Sequence, residues 1–390
     1  MELIPHNLNI NFIGYKKYFI AGSIVVNLAV LLAAAIWSLN LGVDFAGGAE
    51  IEVKFDQEAH GDTVRQIMAT AGFKDATVQV VGAAEEHSFL IHVGRISLLG
   101  PEGAVNAEQA LRAKFGADLS TFDFNPELGD KIELRFKKLP PPPADEVKQA
   151  LAAAGITVSP DEGVRSIQGG YTVITSGIAD HVKAALVDAA AKGTAPKSEL
   201  RRIEFVGPQV GKQLRIRGIL SVVYAAIAIL VYVAFRFDTR FAPGAVIAMF
   251  HDIIVVLGYF VVSRREFNLT SVAVLLTIVG YSVNDTIVIY DRIRENMGKL
   301  KGLSLPQLIN VSLNETLART VLTSFATALS LVGLLIFGVG QIWDFAAAMM
   351  VGIVTGTYSS IYIASPVTIW LEELSGKNPN QAGAVKAKAV

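Results

Sequence analysis

Residues 269–290 read LTSVAVLLTIVGYSVNDTIVIY, an apolar run long enough to cross a lipid bilayer as a helix. Asp285 lies well inside this run. A carboxylate at membrane depth is costly, and such residues usually face a bundle interior, a partner charge or an ion path. Ser282, Asn284 and Thr286 make this part of the helix polar on more than one face. The pattern therefore favours a pathway over an isolated buried charge.

Similar apolar runs recur along the chain. The 390 residues are 52% hydrophobic and 18% charged, with a mean hydropathy of +0.45. This composition is too apolar for an ordinary soluble protein of this length. The length of the apolar runs points the same way, because core helices rarely reach the ~20 apolar residues that a bilayer requires. The sequence predicts an α-helical polytopic membrane protein with six spans, at residues 18–41, 219–235, 241–262, 269–290, 321–338 and 345–370.

Charge and cysteine content exclude several functions. The net charge of −1 gives no bias toward polyanions, so nucleic acid is not an expected partner. The absence of cysteine excludes disulfides, thiolate metal sites and thiol redox centres. The sequence shows no nucleophile triad and no metal-ligand cluster, which predicts that the protein is not an enzyme and needs no cofactor. The first apolar run is too long for a signal-peptide core and is interpreted as a retained anchor.

The short loops predict the orientation in the membrane. Twelve Lys and Arg residues lie on one side, against Arg264 and Arg265 on the other. Since positive residues favour the cytoplasm, both termini are predicted to be cytoplasmic. The predicted segments are a cytoplasmic N-terminus (1–17), the first span (18–41), a periplasmic insert (42–214), a five-span bundle (215–370) and a cytoplasmic C-terminal tail (371–390).

The insert contains an internal repeat. Residues 48–55, GAEIEVKF, match residues 129–136, GDKIELRF, and residues 62–72 match residues 145–155 in the same order. The first block of each copy alternates apolar and polar residues as a strand does, and the second has helical spacing and stops at a glycine. The repeat predicts a duplicated α+β, ferredoxin-like domain of the split βαβ kind, with halves at about 42–127 and 128–214.

Asp285 has a candidate partner on the next span. Asp285 lies six residues before Asp291, so it is about 9 Å inside the predicted end of its span. Arg319 lies at a similar depth at the start of the following span. A carboxyl group that gains and loses an arginine partner would bind and release a proton. A static structural ion pair, or an arginine that reaches to lipid headgroups, remains an alternative.

Two further candidates lie in the third span. His251 and Asp252 are adjacent near its centre, where they either extend a proton path or serve as hydrogen-bonded packing residues. The candidate proton-transport residues are therefore Asp285, Arg319, Asp252, His251, Asn284 and Thr286. In the last span, Gly352 and Gly356 form a GxxxG pattern, which indicates close helix packing.

Several segments resemble the bacterial SecF family. The resemblance rests on GVDFAGG at 42–48, VGPQVG at 206–211, GYSVNDT at 280–286, DRIREN at 291–296 and LART at 317–320. SecF belongs to the resistance–nodulation–division (RND) superfamily and pairs with SecD in an accessory complex of the Sec translocon, SecYEG. The resemblance thus implies a cell inner membrane location in a bacterium, with membrane lipid around the spans.

The resemblance also implies a mechanism. In this family the proton motive force drives movement of outer domains that pull or hold unfolded exported polypeptide, and the positions of Asp285 and Arg319 are implicated in proton transport. SecF proteins usually carry one ferredoxin-like unit, whereas this chain has about two. A proton-driven RND-type exporter of small molecules or lipids, and a non-transport scaffold or chaperone of the channel, remain alternatives.

Overall fold

The computed structural model describes residues 9–81, 87–95, 97–125, 130–160, 163–237 and 240–374. It divides into two compact units, Gly42–Arg215 and Met1–Leu41 together with Ile216–Val390. Residues 1–8 of the predicted N-terminal segment and residues 375–390 of the predicted tail lie outside the described residues. The first helix, α1, spans Lys16–Trp37.

The unit Gly42–Arg215 is an α+β structure. Its elements in chain order are α2 (Val43–Ala46), β1 (Gly48–Phe55), α3 (Gly61–Thr70), β2 (Thr77–Val81), β3 (Ser88–Val93), α4 (Pro101–Phe115), β4 (Leu119–Phe124), β5 (Lys131–Phe136), α5 (Ala144–Ala153), β6 (Val164–Ile167), β7 (Gly170–Ile174), α6 (Ile178–Ala191) and β8 (Ser198–Val206).

Two four-stranded antiparallel sheets organise this unit. The first has the order β2-β3-β1-β8, and the second has the order β4-β5-β7-β6. Both orders are those of a split βαβ, or ferredoxin-like, sheet. The duplicated α+β fold predicted from the repeat is therefore confirmed, with a closing strand in each half that the sequence pattern had not indicated.

The two halves of the repeat exchange elements in the fold. β4 of the first half completes the second sheet, and β8 of the second half completes the first. The helices follow their strands: α4 places Ala107 and Leu111 in the core of the second sheet, and α6 places Val182 and Leu186 in the core of the first.

A hydrogen-bonded junction lies where the chain passes from the first sheet to the second. One side-chain oxygen of Asp130, just before β5, accepts from the Ser97 hydroxyl at 2.7 Å and from the Leu98 amide at 2.8 Å. These bonds hold the chain after β3 against the start of β5. The next helix, α4, packs on the second sheet, and α6 packs on the first.

Two adjacent glycines allow the chain to enter the first sheet. Gly47 has φ +76°, and a Cβ there would lie 2.9 Å from Pro208 Cα. Gly48 has φ +127°, and a Cβ there would lie 2.4 Å from the carbonyl oxygen of Val93. These backbone conformations and contacts suit residues without side chains. The pair therefore lets β1 start beside Val206 of β8.

The second unit is helical. Its remaining elements are α7 (Pro208–Arg236, which begins in the preceding unit), α8 (Ala242–Ser263), α9 (Leu269–Lys299), α10 (Leu305–Phe337), α11 (Gln341–Ser359), a π-helical segment (Ser360–Ala364) and α12 (Ser365–Leu374). Counting the continuous stretch from α11 to α12 as one, six helices of the described chain are long and apolar enough to span a membrane. The six predicted spans are confirmed at this level.

Helices α9 and α10 extend well beyond their apolar runs. α9 continues to Lys299, and α10 already begins at Leu305. Polar contacts stabilise these extensions: Arg292 donates to Glu315 at 2.6 Å, and the Asn296 amide donates to the Ser312 hydroxyl at 3.0 Å. Hydropathy detects only the part of a helix that suits lipid, so it misses such polar ends.

The GxxxG pattern packs α11 against α9, as predicted. A Cβ on Gly352 would lie 2.1 Å from Ile278 Cδ1, and a Cβ on Gly356 would lie 3.1 Å from Ser282 Cβ. Both glycines are buried. This close approach brings polar side chains of α9 and α11 within hydrogen-bond range of each other in the interior of the bundle.

Candidate proton-coupling site

Asp285 is buried near the middle of α9. Its side chain is 2% exposed, and its Oδ2 atom has no hydrogen-bond partner among the described residues. The polar groups acting on it are on α10, namely the Ser324 hydroxyl and the Arg319 guanidinium. A carboxyl group buried at this depth in a membrane helix is costly, which favours a functional role.

Arg319 lies level with Asp285 on the neighbouring helix. Asp285 is 14 residues before the end of α9, and Arg319 is 14 residues after the start of α10. No nitrogen–oxygen distance between them falls within the 4.0 Å of an ion pair in the described chain. Arg319 is instead exposed on the surface of the bundle. The two charges thus share a depth without direct contact.

Asp252 is the centre of a second polar cluster. It is 1% exposed, and its Oδ1 lies 2.9 Å from Nδ1 of His251. Its Oδ2 accepts from the Ser282 hydroxyl of α9 at 2.6 Å and from the Ser359 hydroxyl of α11 at 2.7 Å. One carboxyl group therefore joins three helices. His251 also lies beside Tyr358, with ring centroids 5.8 Å apart.

Thr286 belongs to the same interior, whereas Asn284 does not. The Thr286 and Ser360 hydroxyls are 2.9 Å apart, and Ser360 donates to the Ser282 carbonyl at 3.2 Å. Asn284 is exposed on the outer surface of α9. The structure thus brings His251, Asp252 and Thr286 into one hydroxyl-rich region, and places Asn284 with Arg319 among the exposed positions.

Four hydroxyl residues of this region were not singled out by the sequence. Ser359 and Ser360 flank the start of the π-helical segment, and the Ser324 and Thr357 hydroxyls are 2.6 Å apart between α10 and α11. Their signal in the sequence is weak, because isolated Ser and Thr residues are common in membrane helices. The π-helical turn is itself a frequent feature of functional sites.

The chemistry available here is proton binding and relay. The carboxyl groups of Asp252 and Asp285, the imidazole of His251 and several hydroxyls are buried in this part of the bundle, and each can exchange protons or donate hydrogen bonds. In the described ranges, no group of three His, Asp or Glu side chains is placed to hold a metal ion.

Comparison with protein families identifies two matching regions. Residues 186–374 match the family described as protein export membrane protein SecD/SecF, C-terminal, and residues 39–59 match the SecD/SecF GG motif. The second match includes Gly47 and Gly48. The first contains α7 to α12 and therefore every candidate proton-transport residue.

Curated relatives match nearly the whole chain. The protein translocase subunit SecF of Koribacter versatilis is 36% identical, with 100% of both chains covered. The protein translocase subunit SecF of Magnetococcus marinus is 36% identical over 95% of each chain. That of Rickettsia felis is 31% identical, covering 94% of this chain and 93% of the relative.

Solved structures of a larger protein share the fold. A crystal structure of SecDF, a translocon-associated membrane protein from Thermus thermophilus, has a TM-score of 0.64 and 28% identity. It matches 95% of this chain, which spans 40% of the SecDF chain. SecDF in a super-membrane-facing form gives a TM-score of 0.57 with the same identity, again covering 40% of that chain.

Proposed function

The chain belongs to the SecF family of protein translocase subunits, and we propose that it forms the SecF half of a SecDF complex that couples proton flow to protein export. Partner, coupling ion and substrate are part of this proposal. The observation that supports it best is the burial of Asp285 within α9, with Arg319 level with it on the neighbouring α10.

The proposed cycle uses the charge of Asp285. When Asp285 is ionised, it attracts Arg319 through a low-dielectric interior. Protonation removes that attraction and lets α9 and α10 repack. The outer unit joins the bundle through the chain after α1 and through α7, so helix rearrangement would shift its attachment points. Each proton that crosses 100 mV provides about 2.3 kcal/mol.

The exposed surface of α9 fits a protein partner better than lipid. Between residues 270 and 290 the exposed positions of α9 carry small or polar side chains, at Ala273, Thr277, Gly280 and Asn284. On α7, by contrast, exposed positions are large and apolar, such as Val223 and Ile227. Small residues let helices approach closely within a membrane.

Arg319 adds a charge to the neighbouring surface of α10, where Thr323, Ala326 and Ser330 are also exposed. An arginine at this depth is costly in lipid, so a protein partner is expected to cover it. We assign this partner as SecD, since SecDF is the larger assembly that the chain resembles. The Sec channel and unfolded exported polypeptide complete the proposed set of partners.

The proposed location is the bacterial inner membrane. The chain is a multi-pass membrane protein, and the charge of its short loops favours cytoplasmic termini and a periplasmic 42–214 insert. In this orientation the outer unit meets polypeptide as it leaves the channel. No cofactor is proposed, and the coupling ion is the proton.

The decisive test is export driven by a proton gradient in membrane vesicles. Asp285→Asn is expected to abolish the gradient-dependent part of export while co-purification with SecD persists. Undiminished export by this variant would contradict the motor and favour a scaffold. Ser330→Ala, which changes another exposed position of the α10 surface without removing a charge, serves as the control.

The partner surface is tested separately. Gly280→Trp places a large ring on the small-residue surface of α9 and is expected to reduce co-purification of SecD several-fold. Val223→Trp changes an exposed apolar position of α7 and is expected to leave it unchanged. Equal behaviour of the two variants would place SecD elsewhere.

A further inference from the structure

The two sheets of the outer unit have four edge strands, and one of them differs from the rest. The edges are β2 and β8 in the first sheet and β4 and β6 in the second. An edge strand leaves one row of backbone N–H and C=O groups unpaired, and charged side chains commonly protect such edges from pairing with other chains.

Three edges carry this protection. β8 contains the four charged residues Glu199, Arg201, Arg202 and Glu204, β4 contains Asp123, and β6 contains Arg165. β2 reads TVQVV and contains no charge. Four of its five residues are β-branched, which favours an extended, pairing-competent strand. β2 is thus the edge with the strongest tendency to accept a further strand.

The backbone of β2 is available on its outer side. Thr77–Val81 pairs with β3 in an antiparallel register, with Val80 opposite Phe89. Outside this ladder, Thr77–Val81 makes no backbone hydrogen bond to another described residue. Val78 packs against the core of the first sheet, whereas Val80 on the same strand is 57% exposed. Among the described residues, the edge therefore combines unpaired backbone groups with an exposed apolar side chain, Val80.

We propose that the β2 edge binds an extended segment of the exported polypeptide by strand addition, extending the first sheet to five strands. This inference rests on the proposed function. Strand addition recognises backbone groups, so it tolerates almost any side-chain sequence. That property suits a subunit that meets many different unfolded chains. A five-residue edge is about 17 Å long, which holds a passing segment briefly.

The absence of cysteine from the chain allows a direct test. Val80→Cys is combined with cysteine-free SecD and with an exported polypeptide that carries one cysteine and is stalled in the channel. Diamide then oxidises thiols that lie close together. We expect a disulfide between position 80 and the polypeptide, at least five-fold more abundant than from either control position.

The controls are Val187→Cys and Phe205→Cys. Val187 lies on α6 and is 63% exposed, and Phe205 lies on the charged edge β8 and is 50% exposed. Equal cross-linking from all three positions would indicate non-specific proximity and overturn the proposal. A disulfide between two copies of the chain that forms without stalled polypeptide would identify a second copy as the occupant, and would also overturn it.

A second variant tests strand pairing itself. The cross-linking cysteine is placed at position 77 instead, as Thr77→Cys. In this background Val80→Lys is expected to reduce cross-linking several-fold, because it gives β2 a charge like those that protect the other edges. Val80→Thr keeps a β-branched residue at this position and is expected to leave cross-linking unchanged. Undiminished cross-linking with Val80→Lys would contradict strand addition.

The outcome is separable from that of the proton-coupling test. Asp285→Asn is expected to leave the cross-link from position 80 in place, since β2 lies outside the membrane unit. Absence of the cross-link together with normal gradient-driven export would reject the β2 edge alone. Loss of gradient dependence is judged from export and not from the cross-link.

Discussion

The Ser359 hydroxyl donates a 2.7 Å hydrogen bond to Asp252 Oδ2, one residue before the π-helical segment begins at Ser360. The same oxygen accepts from Ser282, so α8, α9 and α11 meet at one carboxyl group. A π-helical turn has a different backbone hydrogen-bond pattern from the α-helix around it. Asp252 is therefore placed to influence where that turn occurs in the last span.

The first prediction separates the hydrogen bonds of Asp252 from its charge. Asp252→Asn keeps an oxygen that accepts from both hydroxyls, and its amide can donate to His251. Asp252→Ala removes the acceptor, and each donor left unsatisfied costs about 1–3 kcal/mol. Thermal unfolding in detergent should show a clearly larger loss for Asp252→Ala. Equal losses would indicate that the charge, and not the hydrogen bonds, stabilises this junction.

The second prediction concerns Asp285 and Arg319 as a unit. Asp285→Asn and Arg319→Gln should each remove gradient-driven export. Residues that act together give non-additive losses, so the double variant should be no worse than the more severe single variant. Export in vesicles at matched subunit levels provides the measurement. Residual activities that multiply would show that the two side chains act independently.

The third prediction tests the contact between α9 and α11. Gly352→Ala introduces a Cβ 2.1 Å from Ile278 Cδ1, and overpacking of this kind costs about 1–3 kcal/mol. Gly333→Ala on α10 meets no atom within 4 Å and is the matched control. The melting temperature of the purified protein should fall for Gly352→Ala alone, and Ile278→Ala should partly restore it. A silent Gly352→Ala would contradict the packing.

The sequence predicted which segments cross the membrane and which form strands, because hydropathy and alternation are local properties. β1 occupies residues 48–55 as predicted, and the repeated helices end before Gly72 and Gly155, both at positive φ. The exchange of β4 and β8 was not predictable in the same way. The closing strands lie outside the repeated blocks, and their pairing, β4 with β5 and β8 with β1, depends on three-dimensional contacts that local patterns do not encode.

In the candidate site, too, the sequence predicted some features and not others. The sequence predicted that Asp285 and Arg319 lie at a similar depth, because depth follows from the rise per residue. It did not give the direction of each side chain around its helix axis. An ion pair with Asp285 was one interpretation of Arg319, but its side chain is exposed. The Ser359 and Ser360 hydroxyls meet their partners, Asp252 and the Ser282 carbonyl, only because α11 packs on α8 and α9.

The fourth prediction concerns the double glycine before β1. Gly48→Ala requires a side chain at φ +127° and a Cβ 2.4 Å from the Val93 carbonyl oxygen, so the destabilisation should exceed about 1 kcal/mol. Hydrogen exchange in the full-length protein should become faster in β1 and β8. Gly61→Ala, where the nearest atom is 3.8 Å away, is the control. Unchanged protection in β1 would show that the sheet entrance tolerates a side chain.

The fifth prediction is a pH dependence of the first sheet. Glu50 of β1 is 3% exposed, and its burial raises the pKa of the carboxyl group from 4.5 to about 7, although Arg202 at 3.1 Å opposes this shift. The folded state therefore binds the proton more tightly than the unfolded state. Stability contributed by protonated Glu50 is complete below about pH 4.5 and is lost as the pH rises through 7.

Glu50→Gln should remove this dependence, since glutamine stays neutral across the range. Hydrogen-exchange protection of β1 and β8 in the full-length protein should fall between pH 5 and 8, after correction for intrinsic exchange, by up to about 3 kcal/mol in opening free energy. In Glu50→Gln the same amides should show a flatter profile. Glu58→Gln removes a charge from an exposed position and should keep the original profile. Arg202 stabilises the ionised form of Glu50, so Arg202→Gln should steepen the fall in protection with pH. If protection stays independent of pH in both Arg202→Gln and the unaltered protein, Glu50 does not titrate with folding.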